Sequence, residues 1–564
     1  MENKNFVTID GIPVEINGEK NLLELIRKVG IQMPTFCYYS ELSVYGACRM
    51  CMVENEWGGF EAACSTPPRA GMNIKTNTEK LRKYRKNILE LLLSNHCRDC
   101  TTCSKNNKCK LQEFASRFKL EDVRFPNTKT QSKKDCSSPC IIKDSSKCIL
   151  CGDCVRMCNE VQNVGAIDFA HRGSKICIST AFGKPLAETN CVGCGQCVSV
   201  CPTGALVLNS EANKVWDALN DKTVRTTAQI APAVRVAVGK ELGLSEGENV
   251  MSKIVAALRL MGFDEVYDTT LGADLTIIEE TNEFIERLES GNNLPLITSC
   301  CPAWIQYVEK KHPELINNVS SCRSPMQMIA SIVKEKARAK NEKHFHVAIM
   351  PCTAKKYEGA REEFIIDGDR NVNAVLTTNG LIRMIKESGI IFNEIEPEAV
   401  DSPLGTISGA GVLFGVTGGV TEAVLRNVSK SKTRAELFTV AQKGQRGNEG
   451  IKEFEIPYGE RVLKLAVCSG LGNAEKLIKR MENGERFDFI EVMACPGGCI
   501  NGGGQPFTMR EGIEKRTKGI YDSDKLLSIR TAEENPLLET LYNGILKDKA
   551  HELLHVHYKD KTKK

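Results

Sequence analysis

Residues 148–158 read CILCGDCVRMC and residues 191–202 read CVGCGQCVSVCP. Both carry the spacing C-x2-C-x2-C-x3-C; proline follows only the second copy, as Pro202, and Asn159 stands in its place after the first. In a paired arrangement of this kind the first three cysteines of one copy and the fourth of the other surround one cubane iron–sulfur cluster. The spacing predicts a 4Fe-4S site from Cys148, Cys151, Cys154 and Cys201, and another from Cys191, Cys194, Cys197 and Cys158. Neither site closes unless the two copies lie side by side, so residues 136–210 are expected to fold as a two-cluster ferredoxin domain.

Two further cysteine groups lie on the amino-terminal side. Cys37, Cys48, Cys51 and Cys64 follow VTIDGIPVEINGEKNLLELIRKVGI, which reads as a hairpin and a short helix, and GACRMC puts Cys48 and Cys51 on a glycine turn. Four thiolates in so short a segment suit a 2Fe-2S cluster, with structural zinc as the alternative that tetrahedral sulfur also satisfies. Next, His96, Cys100, Cys103 and Cys109 give H-x3-C-x2-C-x5-C at the end of the apolar helix YRKNILELLLSNH. A histidine at a helix end is usually a cap, but three cysteines in the next thirteen positions mark His96 as a ligand and Cys97 as a spare.

Composition sets the limits of the reading. The chain has 564 residues, 41% apolar and 26% charged, enough for several folded domains. Its 75 basic and 71 acidic residues leave a formal charge of +4, too balanced for a nucleic-acid footprint. The terminus MENKNFVTIDGIPVEI lacks a signal-like apolar run, and the most apolar stretch, Leu404 to Leu425, is interrupted by glycines and by Glu422. A cytoplasmic protein with no membrane span is expected, and 26 cysteines in a reducing compartment point to metal binding rather than disulfides.

The last group is dispersed: Cys300 and Cys301 in TSCCPAW, Cys352 in MPCTAKK, and Cys495 and Cys499 in EVMACPGGCINGGGQP. Long sequence separations require a site built where several elements meet. Gly497, Gly498, Gly502, Gly503 and Gly504 suggest backbone in close approach to a bulky non-protein group.

At these three motifs the sequence resembles the FeFe-hydrogenases, in particular the long clostridial type with four accessory clusters, over nearly its whole length. The resemblance implies an H-cluster, a 4Fe-4S cube joined through one cysteine to a diiron unit with carbon monoxide, cyanide and a bridging dithiolate amine. It places Cys301, Cys352, Cys495 and Cys499 on the cube, with Cys499 as the bridge, and leaves Cys300 unligated to pass protons to the amine. Glu283, Ser320 and Glu280 would lead protons from solvent to Cys300. Lys355 would bond a cyanide, Met350 and Met493 would pack on the cluster, and Pro232 and Ala233 would line it. Read without the family, EETNEFIER is a solvated acidic helix face. The chain departs from familiar members at Ala303, where they have glycine, at Ala233 (serine), at Met326 (glutamine) and at Pro496 (histidine).

The resemblance further implies reversible conversion of protons and electrons to dihydrogen, with ferredoxin or a similar one-electron carrier as partner and a monomer or dimer as the assembly. A hydrogen sensor of low turnover and a non-catalytic iron–sulfur assembly factor are the alternatives. The expected fold is multidomain α+β. Its parts are a small ferredoxin-like sheet domain at 1–80, a His-Cys module at 81–125, the two-cluster domain at 136–210, a large α/β catalytic domain at 220–520, and a segment at 521–564 packed on it. IAPAVRVAVG, HFHVAIMPC and KLAVCSG read as strands of the catalytic domain. Gly470-x-Gly472 lies between a strand and a helix, but Glu475 takes the place of the third glycine of a dinucleotide fingerprint and would repel a pyrophosphate. His551, His555 and His557 lack companions for a metal and read as a tail on the surface.

Overall fold

The computed structural model describes residues 5–127, 134–366, 368–428, 446, 447 and 450–562. It divides into two compact units, the first comprising 1–161, 165–189 and 197–207, the second 162–164, 190–196 and 208–564. Among the described residues no helix is long and apolar enough to cross a membrane.

In the first unit, β1 (Phe6–Ile9), β2 (Ile12–Glu15), β3 (Met52–Asn55), β4 (Phe60–Ala62) and β5 (Asn73–Lys75) form one sheet in the order β2-β1-β5-β3-β4. Asp10 and Gly11 join β1 to β2 with φ of 50° and 86°, the left-handed pair that a tight hairpin needs. Helix α1 (Leu22–Lys28) begins at Asn21, whose side chain accepts from the Glu24 amide, and buries Leu22, Leu23, Leu25 and Ile26 against the sheet. Helix α2 (Glu79–Ser94) is capped by Thr78. Its buried Arg85 donates to the carbonyls of Met50, Met52 and Thr76 at 3.2, 2.7 and 2.9 Å, which ties the helix to the loop that carries Cys48 and Cys51.

The second unit holds two four-stranded sheets. The first has β6 (Arg225–Ile230), β7 (Glu265–Asp268), β9 (His344–Met350) and β10 (Ala374–Thr377) in the order β7-β6-β9-β10, all parallel. The second has β8 (Leu296–Ile297), β11 (Ile451–Tyr458), β12 (Arg461–Ser469) and β13 (Phe489–Met493) in the order β8-β13-β12-β11, with only the β11–β12 pair antiparallel. The central strands β6, β9 and β13 are buried on both faces along most of their length, with no alternation of buried and exposed positions.

One strand expectation is corrected. In IAPAVRVAVG only Ile230 belongs to a strand; Pro232–Val234 is a 3-10 turn, and the strand is the preceding RTTAQI. Pro232 has no N–H to give a ladder, so the sheet stops there and the chain turns across the strand end. Arg235 secures that turn with two 2.9 Å contacts to the buried Asp268 carboxylate at the end of β7. Removing either partner would strand a buried charge, at a cost of about 3–5 kcal/mol.

The strand order creates the site. Connections leave β6 toward β7 on one side and lead to β9 on the other, which opens a crevice at the carboxyl ends of β6 and β9. The second sheet ends at the same place, because β8 runs into Thr298–Cys301 and β13 into Ala494 and Cys495.

Candidate active site

A cavity lies at these strand ends, lined among others by Pro232 and Ala233 after β6, Thr269 after β7, Cys300 and Cys301 after β8, Met350 at the end of β9 and Cys352 after it, and Met493 at the end of β13 and Cys495 after it. Lys355, Met326, Phe414, Gly498 and Cys499 complete the wall. Every residue expected at the cluster itself is therefore present in one lining, although its members are spread over 268 positions from Pro232 to Cys499.

No disulfide joins any of these cysteines. Burial, and then the charges of the neighbouring cysteines, push the Cys352 thiol up to about 12 and hold Cys495 and Cys499 above the ordinary thiol range. Thiols raised in this way, side by side in an apolar pocket, are a poor arrangement for a protein alone. They are a good one for a cationic metal cluster, which supplies the charge that keeps thiolates deprotonated. The donor set thus fits a cubane.

Cys300 shares the cavity but is set apart from that group by its second neighbour: burial first, then the charge of Glu280, pushes its thiol far up. Its backbone carbonyl accepts from Lys355 Nζ at 3.2 Å. Burial is the largest single influence on Lys355, but its 2.7 Å pairing with Glu358 together with the charges of Cys352 and Cys300 outweighs it, so the ammonium stays charged on the cavity wall.

The glycines also let other backbone approach closely. A Cβ on Gly498 would lie 2.6 Å from the Thr417 amide, one on Gly502 2.3 Å from the Pro351 carbonyl, and one on Gly503 2.3 Å from the Cys194 carbonyl. They admit backbone against backbone, and Gly498 and Gly502 also line the cavity. Their function is to hold the Cys499 loop onto Pro351 and onto the segment with Cys191 and Cys194. Lys310 Nζ, Gln306 Nε2 and Thr353 Oγ1 hold that segment further, bonding the carbonyls of Cys191, Val192 and Gly193 at 2.6, 2.9 and 2.5 Å. The charge of Cys194 is among those that raise Cys495.

Behind Cys300 runs the helix Thr270–Ser290, which carries Glu280 and Glu283 one turn apart. This is a buried face, contrary to the reading of EETNEFIER as solvated. Glu280 is fully buried, and neither of its oxygens has a hydrogen-bond partner of normal geometry. Burial, then the charge of Glu283, pushes its carboxyl up to about 8, against which the nearby Ser320 hydroxyl and Ser299 backbone act only partly. Ser320 Oγ donates to Glu283 Oε2 at 3.0 Å, and Glu283 also pairs with Arg287 at 2.5 Å.

Sequence reasoning missed several neighbours. Arg287 stands four residues after Glu283 and was legible as a helical pair. Ser321, Cys322 and His555 also gather at Glu283, and nothing in their spacing announced it. Glu491 of the ExMAC motif does structural work: its carboxylate accepts from the amides of Gly418 and Thr421 at 2.7 and 2.8 Å, capping the helix Gly419–Val428.

The accessory groups lie as follows. Cys37, Cys48, Cys51 and Cys64 are all buried. Hydrogen bonds within the pairs Cys37–Cys48 and Cys51–Cys64 hold the first thiol of each up and the second down. Cys148, Cys151, Cys154 and Cys201 line one small cavity, the crossed set that the spacing predicted. Burial first, with the charge of Cys103 contributing, raises the thiols of Cys100 and Cys109, and His96 is buried at the end of α2. Cys158 and Cys197 fall in the first unit, Cys191 and Cys194 in the second.

Comparison with known proteins agrees with this geometry. Residues 224–503 match the family of the iron-only hydrogenase large subunit, C-terminal domain, and residues 510–561 that of the iron hydrogenase small subunit. Subunit HndD of an NADP-reducing hydrogenase from Solidesulfovibrio fructosivorans is 40% identical, covering 98% of this chain and 98% of its own. The chain is an FeFe-hydrogenase. Iron hydrogenase 1 of Clostridium pasteurianum is 35% identical, over 98% of this hydrogenase and 99% of its own length. A solved structure of an FeFe-hydrogenase variant from Chlamydomonas reinhardtii superposes with a TM-score of 0.54 at 38% identity, covering 62% of this chain and 99% of that one. The accessory part of this hydrogenase matches a 2Fe-2S cluster binding domain (6–79), the iron–sulfur region of NADH-ubiquinone oxidoreductase G (85–124) and a 4Fe-4S dicluster domain (147–205). It is thus a multidomain α+β enzyme of hydrogen redox chemistry with a 2Fe-2S cluster, several 4Fe-4S clusters and an H-cluster.

Proposed function

We propose that this hydrogenase binds its H-cluster through Cys301, Cys352, Cys495 and Cys499, with Cys499 bridging to the diiron unit, and moves protons through Glu283, Ser320, Glu280 and Cys300. The observation that carries the reading is the meeting of all four dispersed cysteines, Cys300 and Lys355 in one buried cavity. When bound, the cluster supplies the redox-active iron at which protons and electrons combine to dihydrogen. Everything else falls to the chain. Lys355 presents a charge suited to an anionic ligand such as cyanide, Met350 and Met493 exclude water, and Pro232 and Ala233 close the wall beneath β6. Cys300 Sγ can give and take a proton at the cavity, and Glu280, with a carboxyl near 8, can hold one at neutral pH behind it. Ser320 Oγ bridges toward Glu283.

Electrons arrive, on this reading, through one 2Fe-2S cluster on Cys37, Cys48, Cys51 and Cys64 and three accessory 4Fe-4S clusters, one of them on His96, Cys100, Cys103 and Cys109. The modules have the boundaries expected from the sequence, the protein works in the cytoplasm, and ferredoxin is the carrier. Because one relative is a subunit of an NADP-reducing hydrogenase, the second reading is that a partner subunit delivers the electrons. Infrared bands of bound carbon monoxide and cyanide in the matured protein test the cluster assignment. Hydrogen evolution from reduced ferredoxin by the isolated chain tests the carrier, and no turnover with it would favour the partner-subunit reading.

A further inference from the structure

The carboxyl-terminal segment is tied to the strand of residues that carries Ser320. Val556 N donates to the Ser321 carbonyl at 2.8 Å, Arg323 N to the Leu554 carbonyl at 2.7 Å, and Arg323 Nε to the His555 carbonyl at 2.8 Å. This arrangement delivers the His555 ring, its side chain 12% exposed, between two carboxylates of the helix Thr270–Ser290. Its Nε2 lies 3.1 Å from Glu279 Oε2, and its Nδ1 lies 2.8 Å from Ser321 Oγ, which is itself 3.2 Å from Glu283 Oε2.

We propose that His555 is a positioning residue for the proton path, its Nδ1 deciding whether the Ser321 hydroxyl turns its hydrogen toward His555 or toward Glu283. The inference rests on the reading of Glu283 and Ser320 as part of that path. Glu279 accepts hydrogen bonds from Tyr542 and His555, which outweigh its burial and hold its carboxyl below the ordinary range. A carboxylate only accepts, so Nε2 carries a hydrogen and the variable nitrogen is Nδ1. In the neutral ring Nδ1 is a lone pair and takes the single Ser321 hydrogen over the shorter contact. In the imidazolium Nδ1 is itself a donor to Ser321 Oγ, and the hydroxyl hydrogen is left for Glu283.

A donor to the ionised form lowers a carboxylate's affinity for its proton. Charging His555 therefore makes Glu283 release protons more readily, and neutral His555 makes it hold them. The other charged and titratable groups around the ring are Arg323 from the 320–323 segment, Arg287 and Glu283 from the long helix, the buried thiol of Cys322, and Glu552, His551 and His557 from its own segment. Of these the His551 ring stacks on His555 at 4.8 Å between centroids but is exposed.

The test is the alkaline limb of the pH–rate profile of the holoenzyme, read together with infrared titration of the protonated Glu283 carboxyl. His555→Phe cannot accept from Ser321, so Glu283 keeps its donor at all pH and both readouts shift down by about one pH unit. Ser321→Ala removes the hydroxyl that His555 controls, so on the alkaline limb, where neutral His555 already withholds it from Glu283, the readouts stay near the wild type, and adding His555→Phe to Ser321→Ala no longer shifts them down. His551→Gln leaves them where they were, and unchanged H-cluster infrared bands confirm assembly in every variant. Should His555→Phe fail to fold, His555→Leu, equally unable to accept from Ser321, is read in its place. Unmoved readouts in His555→Phe, or its full downward shift persisting in the double variant, overturn the role of His555 alone. Full turnover in Glu283→Gln overturns the path itself, while the carboxyl titration still reports whether His555 acts on Glu283.

Discussion

The 2Fe-2S site and the catalytic cavity are both made of four cysteines, yet they are built in opposite ways. Cys37 to Cys64 span 28 residues of one small domain, in which a hairpin, a short helix and Arg85 of α2 are enough to hold the loop. Cys301 to Cys499 span 199 residues and meet only because two sheets end at one place. A local site can close around its own cluster as it folds, whereas a convergent one depends on the whole catalytic unit. The convergent design has a use: it leaves room between its ligands for groups that hold no metal, here Cys300, Lys355 and the buried acid Glu280.

The comparison breaks most visibly at the ligands. Cys301→Ala should abolish the carbon monoxide and cyanide infrared bands and all turnover, a loss beyond the roughly 10- to 100-fold that disturbing a ligand's supporting partner costs. Cys64→Ala in the local site should leave those bands intact, along with hydrogen evolution from a small-molecule reductant, as should removal of residues 1–80. Equal loss of the bands in both variants would mean that the two sites do not assemble independently.

Next in size is the non-ligating cysteine. Cys300→Ala should retain the infrared bands while turnover in both directions falls by about 10³- to 10⁴-fold, since a methyl group can neither give nor take a proton. Near-normal rates would make Cys300 a packing residue.

The smallest effect is on stability. Glu280 binds its proton more tightly in the folded state, with a carboxyl near 8 against 4.5 when unfolded, so folding loses free energy as pH rises between those values. Glu280→Gln has no such slope. Relative to the wild type it should gain on the order of a few kcal/mol between pH 5 and pH 8 in denaturant midpoints, while turnover falls by about 100-fold. Parallel stability curves would show that Glu280 is not held protonated in the fold.

How much of this was legible follows the same division. Close spacing carries its own geometry: C-x2-C-x2-C-x3-C names the crossed partners Cys148, Cys151, Cys154 and Cys201 before any fold is known, and the H-x3-C run names His96. The resemblance at TSCCPAW, MPCTAKK and GGGQP named the residues of the catalytic cavity. It did not say what puts them together, which is the strand order of two parallel sheets. Where periodicity was the only guide it failed, as at IAPAVRVAVG, because an apolar run reads alike in a strand and in a buried turn.

What the sequence determined by itself was the chemistry: cysteines at cluster spacing, a thiol left over beside a ligand, two acids one helical turn apart. Tertiary structure alone decided environment. It made Glu280 a buried acid without a close partner while Glu491, equally buried, became a helix cap, and it drew His555 from the far end of the chain to Ser321 and Glu283. The physical reason is that a side chain's proton affinity and hydrogen-bond partners depend on what lies within a few ångströms of it. For residues hundreds of positions apart, that is set by the packing of whole elements and by nothing in the local sequence.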